Sequence, residues 1–178
     1  MLTIRPSYPD EFDRLSAILK YAHRESRFRR YDLDLDKCRQ LFDQQFVDGS
    51  IICFFALLDE ELIGFGGFLV TPHFFGNDLV ASDFMVYVAP NHRGSSAFYR
   101  MLKAYEKWAI SLNVVEISLG ISTGVRVAET SKLYERLGYK REAINFRKDG
   151  HPNVFQFSKT TPTSTASTAS PTRAKPSS

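Results

Sequence analysis

The stretch Pro90-Asn91-His92-Arg93-Gly94-Ser95-Ser96-Ala97-Phe98 places one arginine, one glycine and two serines where a strand-like run gives way to a helical pattern. The first N–H groups of a helix have no partner within it, and the aligned peptide dipoles make that end positive. Small side chains let an anion approach those donors closely, and Arg93 adds a planar cation. The pattern predicts a site for two linked phosphates, and hence a nucleotide-derived cofactor. The competing reading is a plain helix cap made by Ser95 or Ser96.

Other reactive types are sparse. No histidine has metal-ligand spacing, and His73 and His92 each stand alone. Cys38 and Cys53 form no metal motif, and in a cytosolic chain both read as reduced thiols.

The elements that must position the turn follow from periodicity. Leu2–Arg5 reads as a first strand. A helix opens at Pro9-Asp10-Glu11 and carries an apolar face of Phe12, Leu15, Leu19 and Ala22. A basic, aromatic stretch runs from Arg24 to Tyr31. Asp34 or Asp36 caps a second helix with Cys38, Leu41, Phe42 and Phe46 inward. Ile51–Leu58 and Leu62–Thr71 form a hairpin across Asp59-Glu60-Glu61, and Leu79–Val88 is the next strand. Gly64, Gly66 and Gly67 mark a bulge, a close approach, or room for a neighbouring aromatic ring. After the turn, Phe98, Met101, Leu102, Tyr105, Trp108, Ala109 and Leu112 recur at helical spacing. Glu116–Ile121 is a strand, Val125–Leu137 a helix stopped by Gly138, and Tyr139–Arg147 and Val154–Ser158 are the last strands. The order β-α-α-β-β-β-α-β-α-β-β makes an α/β (α+β) domain with a mixed sheet.

The chain has 178 residues, 43% of them hydrophobic, enough for one domain with a sizeable core. No apolar run is long enough to span a bilayer, and no secretory signal stands at the start, so a cytoplasmic location is expected. From Thr160 the composition turns to Thr, Ser, Ala and Pro, which reads as a disordered tail over 159–178 behind a domain over 1–158. That tail holds Lys159, Arg173 and Lys175 and no acid. Removing those three from 23 basic residues leaves 20 against 20 acidic ones, so global charge does not argue for nucleic acid. A local basic patch around Arg24, Arg27, Arg29 and Arg30 stands out.

The element order and the turn together resemble the GCN5-related N-acetyltransferases (GNAT). The family turn is Gln/Arg-x-x-Gly-x-Gly/Ala, and its later Leu-Tyr-Glu-Lys-Leu-Gly-Phe is similar to Leu133-Tyr134-Glu135-Arg136-Leu137-Gly138-Tyr139. The opening Leu2-Thr3-Ile4-Arg5-Pro6 also fits. The resemblance covers about residues 1–158 and is nearest to bacteriophage-type members. It departs at Ser96 and Phe98, where the family has Gly and then Gly or Ala, and at Val127, where many members have Asn.

The resemblance implies a mostly antiparallel sheet of six to seven strands, splayed between the fourth and fifth, with about four helices. It implies acetyl-CoA as co-substrate. The backbone of Val86, Tyr87 and Val88 would pair with its pantetheine arm, and the N–H groups of Arg93, Gly94, Ser95, Ser96, Ala97 and Phe98 would hold its pyrophosphate. The reaction would be direct attack of a primary amine on the thioester, with Tyr134 as general acid to the departing thiolate and Asp83, ahead of Glu116 and Glu129, as candidate general base. Strict alternation puts Asp83, Met85 and Tyr87 on one face unless a bulge resets it. The acceptor, a small molecule or a protein, would enter past Arg24, Arg27, Tyr31, Phe146 and Phe155. No membrane or nucleic-acid partner is implied, and a homodimer stays open. The alternative, kept alive by the altered turn and Val127, is an inactive module of the same fold that holds CoA or a protein partner.

Overall fold

A computed structural model describes residues 1–148. Met1–Arg141 forms one compact unit, and a second begins at Glu142. The first unit contains β1 (Leu2–Pro6), α1 (Phe12–Glu25), α2 (Leu35–Gln44), β2 (Ile51–Leu58), β3 (Glu61–Pro72), β4 (Leu79–Val88), α3 (Ala97–Ser111), β5 (Glu116–Ile117) and α4 (Val127–Arg136).

Among the described residues the sheet has five strands in the order β1-β2-β3-β4-β5, antiparallel except for the parallel β4–β5 pair. The expected six to seven strands are thus not reached. Residues 139–148 carry no strand, so Tyr139–Arg147 does not form the expected one. Val154–Ser158 and the tail lie outside the described residues, as does the expected boundary between them.

Each face of the sheet is covered. On one side Phe12, Leu15, Ile18 and Ala22 of α1 and Phe42 of α2 pack on Cys53, Phe55, Leu57, Phe65 and Tyr87. On the other, Tyr105 and Ala109 of α3 meet Phe54, Phe68, Val70 and Ala81, and Met101 meets Ala56, Ile63 and Val88. Strand alternation explains the split, since Phe54 and Phe55 must face opposite sides. α2 buries less than its pattern suggested: Leu41 and Phe46 remain exposed. Cys38 and Cys53 are free thiols, and burial pushes the Cys53 thiol up to about 12, which keeps it protonated and inert.

Glu11 fastens β1 to the start of α1. Both guanidinium nitrogens of Arg5 donate to it at 2.7 Å, as does Arg14, and the Tyr8 N–H adds a bond at 2.9 Å. These donors, Arg5 first, hold the Glu11 carboxyl down at about 2. A carboxyl held that low stabilises the fold above its usual pKa of 4.5, and the contribution is lost as pH falls towards about 2. Glu11→Gln is therefore expected to cost about 2–3 kcal/mol near pH 7. Urea titrations should show the gap between the two proteins shrinking on acidification, and a gap independent of pH would contradict this.

Candidate active site

The site is made where β4 and β5 part. Main-chain pairing between them covers Val80↔Glu116 and Ala81↔Ile117, extended by the Val115 N–H to the Leu79 carbonyl and the Ser118 N–H to the Ala81 carbonyl, both at 2.8 Å. Two residues on, the Gly120 N–H is taken by a side chain, the Asp83 carboxylate, at 2.6 Å. Main-chain pairing between the strands ends there, so the second half of β4 has an open edge.

Which groups that edge presents follows from register. The Ala89 N–H donates to the Ile63 carbonyl across the pair Val88↔Gly64. In an antiparallel ladder this makes Val88 and Gly64 a non-hydrogen-bonded pair, whose own N–H and C=O groups point away from each other. Val86↔Gly66 has the same parity. Val86 and Val88 therefore present main-chain groups to the opening, while Tyr87 turns its own towards Phe65 of β3. Gly64 is glycine of necessity, since a Cβ there would lie 2.7 Å from the Tyr87 carbonyl oxygen.

A bulge in β4 resets its faces. Phe68 opposes Asp83 and Gly67 opposes Met85, leaving Phe84 without a partner. Its ring lies over Gly67, where a Cβ would meet it at 2.2 Å, so that glycine makes room for an aromatic ring. The bulge overturns the strict alternation. Asp83 shares the α3 face with Phe68, whereas Met85 and Tyr87 pack with α1.

The turn before α3 alternates in the same way. The N–H groups of Arg93, Ser95 and Ala97 are used internally, on the Pro90 carbonyl at 3.3 Å, the His92 carbonyl at 3.4 Å and the Ser95 hydroxyl at 3.3 Å. Among the described residues Gly94 and Ser96 have no such partner, and Phe98 lies in the first turn of α3, where the helix supplies none. Gly94 sits at φ +87°, which only glycine adopts without strain. Ser96 holds the N-cap position of α3 without a side-chain cap bond, and the Ser95 hydroxyl withdraws Ala97 from the expected set of donors.

The Arg93 side chain is engaged elsewhere. It grips Glu25, the last residue of α1, through two bonds of 2.5 Å, and its Nε donates to the Val88 carbonyl at 3.0 Å. The Tyr87 hydroxyl also donates to Glu25, at 3.1 Å, and the guanidinium lies 5.6 Å from the Tyr87 ring centre. Arg93, helped by Tyr87, holds the Glu25 carboxyl below its usual range. Arg93 thereby ties the turn, the end of β4 and the end of α1 together. Glu25 is 68 residues away in the chain, and no local signal marks it.

α4 delivers Tyr134. It ends in a Schellman motif, with Gly138 at φ +93°, its N–H on the Glu135 carbonyl at 3.1 Å, and the Tyr139 N–H on the Tyr134 carbonyl at 3.0 Å. That closure sets the Tyr139 ring 5.9 Å from Tyr134, and Phe98 flanks Tyr134 at 6.3 Å. Tyr139 is anchored in turn by its hydroxyl on Glu106 of α3 at 3.1 Å. Phe98, a departure from the family turn, thus serves as packing for Tyr134. Burial, and then the Asp83 charge, push the Tyr134 hydroxyl well above its ordinary range, so it stays protonated. Burial also pushes the Asp83 carboxyl up, only partly offset by the Gly120 N–H.

Most of the expected site residues share one cavity of about 320 Å³, though Ser96 and Ala97 are not among those lining it. Asp83, Val86, Val88, Gly94, Phe98 and Tyr134 line it, together with the loop from Gly120 to Thr123 and the end of α1. Among the described residues no group of side chains has metal-site character. No helix there is long and apolar enough to cross a membrane.

The family model described as the acetyltransferase (GNAT) family matches residues 15–139. The chain belongs to the GNAT acetyltransferase family. Solved GNAT-like structures agree with this one in fold. A ribosomal-protein-alanine N-acetyltransferase from Brucella melitensis superposes with a TM-score of 0.66 at 15% identity, over 85% of this chain and all (100%) of that one. An aminoglycoside acetyltransferase from an uncultured soil metagenomic sample gives 0.66 at 17% identity, over 85% and 99%. AAC(6')-Iy, bound to the bisubstrate analogue CoA-S-monomethyl-acetylneamine, gives 0.65 at 15% identity, over 84% and 99%. No curated protein matches the sequence. The narrower likeness to bacteriophage-type GNAT members gains no support from these relatives.

Proposed function

We propose that this GNAT protein moves an acetyl group from acetyl-CoA to a primary amine by direct attack. The observation that carries the reading is the continuity of outward main-chain donors. They run from Val86 and Val88 on the open edge of β4 to Gly94, Ser96 and Phe98 at the start of α3, and Tyr134 lines the cavity beside them. The β4 edge matches an extended amide-bearing arm, and the turn matches a diphosphate. A related fold bound to a CoA analogue is consistent with this.

The chemistry assigned to the residues is an acid and a base held apart by their surroundings. Asp83, raised by burial, takes the proton that the amine must lose, directly or through a water molecule. The amine nitrogen bonds to the thioester carbonyl carbon, the carbon–sulfur bond breaks, and Tyr134 protonates the departing thiolate. Asp83 then returns its proton to Tyr134 through solvent, which restores both groups. The products are the N-acetyl amine and free CoA.

Thermal denaturation tests the first step. Acetyl-CoA at about 100 times its Kd stabilises by about 2.7 kcal/mol, a rise of about 5–10 °C in Tm. Arg93→Glu is expected to abolish the rise, because its carboxylate would repel both Glu25 and the phosphates. An unchanged Tm at millimolar acetyl-CoA would leave the fold as a non-catalytic module.

A further inference from the structure

We propose that the acceptor is an acidic amine, one flanked by carboxylates, drawn in by the arginines at the end of α1 and in the turn that follows it. The proposal rests on the acetyltransferase reading and names the substrate class of that same site.

The connection after α1 is fixed to the cavity. Ala22 and Ser26 line it from one side, Ser122 and Thr123 from the other. Arg27 joins the two sides: its main-chain N–H donates to the Thr123 carbonyl at 2.8 Å, and its Nε donates to the Ser122 carbonyl. The tight turn Arg27–Arg30 therefore stands at the cavity mouth.

Its charge is one-sided. Arg24, Arg27, Arg29 and Arg30 are all exposed. Glu25 is the one acid between His23 and Tyr31, and it is already neutralised by Arg93. The Arg24 and Arg29 side chains have no partner among the described residues. The four arginines stand outside the cavity lining; on the far side Arg126 lines the cavity itself beside Glu129, and their pairing is long, at 3.4 Å, and exposed. Such a pair contributes little. An incoming polycation meets like charge at this mouth, whereas carboxylates beside the reacting amine meet free guanidinium groups. Aminoglycosides are polycations, so this rim argues against the acceptors named for some relatives. A long polyanion such as RNA needs an extended basic track, but Asp32, Asp34 and Asp36 follow the arginines directly.

The test uses the full chain with three short peptides bearing a free N-terminal amine and followed by glutamates, serines or lysines. Initial rates are read as CoA thiol release at saturating acetyl-CoA, and calorimetry measures peptide binding without acetyl-CoA. The glutamate peptide is expected to exceed the lysine peptide in kcat/KM by about tenfold or more, and the advantage should collapse near about 0.5 M salt. The double variant Arg24→Gln, Arg29→Gln should lose most of it, while the Tm rise with acetyl-CoA persists. Equal rates for the three peptides, or a preference for lysine, overturn the proposal. So does tighter binding of an RNA homopolymer than of the glutamate peptide. If acetyl-CoA gives no Tm rise but the glutamate peptide alone binds through Arg24 and Arg29, the acetyl-transfer reading fails while the anionic preference of the rim stands.

Discussion

Tyr134→Phe is expected to lower kcat about a hundredfold while leaving acetyl-CoA affinity unchanged. The hydroxyl is the only group removed. The ring keeps its neighbours Phe98 and Tyr139, and the Schellman closure that sets its position is main-chain. Stability should therefore change by no more than about 0.5 kcal/mol. Steady-state rates and a parallel Tm measurement with acetyl-CoA separate the two effects. An unaltered kcat would remove Tyr134 as the acid, and a lost Tm rise would make it a binding residue instead. Because burial and Asp83 hold the hydroxyl protonated, the wild-type rate should show no fall from Tyr134 ionisation anywhere near neutral pH.

The second large effect is at Asp83. Asp83→Asn should reduce kcat/KM about a hundredfold and at the same time raise Tm near pH 7. The sign follows from linkage. Burial raises the folded-state pKa of this carboxyl above its usual 3.8, so its contribution to stability is full below that value. It is lost as pH rises through the folded-state pKa, where the charge must form in a desolvated site. Asparagine carries no charge and keeps an oxygen for the Gly120 N–H, which Asp83 now accepts at 2.6 Å. The Tm advantage of the variant should vanish in acid, and the wild-type acid limb of kcat/KM should lie above the ordinary carboxylate range. A variant that is less stable at pH 7, or as active as wild type, would refute this assignment.

Much of this site could be read from local pattern. The change from strand to helix at the turn, the apolar stripe of α3 and the glycine that ends α4 are all encoded within a few residues, so periodicity and caps reveal them. The candidate residues Gly94, Ser96, Phe98 and Tyr134 are proposed on that basis, or from the motif they complete. What local pattern could not show depends on distant partners. Arg93 looked like a phosphate cation because nothing near it hints at Glu25. The bulge at Phe84 moved Asp83 to the α3 face, and its cause, the room over Gly67, lies in another strand. Tyr87 looked like part of the open edge, but ladder parity turns its main chain towards β3. The stretch after Gly138 is expected as a strand, yet residues 139–148 add none to the sheet.

The central claim is that main-chain donors on β4 and before α3 hold the co-substrate, and amide resonances report on it residue by residue. Titrating acetyl-CoA into nitrogen-labelled protein should shift the N–H signals of Val86, Val88, Gly94 and Ser96 most, while Tyr87, whose N–H faces Phe65, moves little. Large shifts confined to other parts of the sheet, or no shifts at millimolar acetyl-CoA, would contradict it.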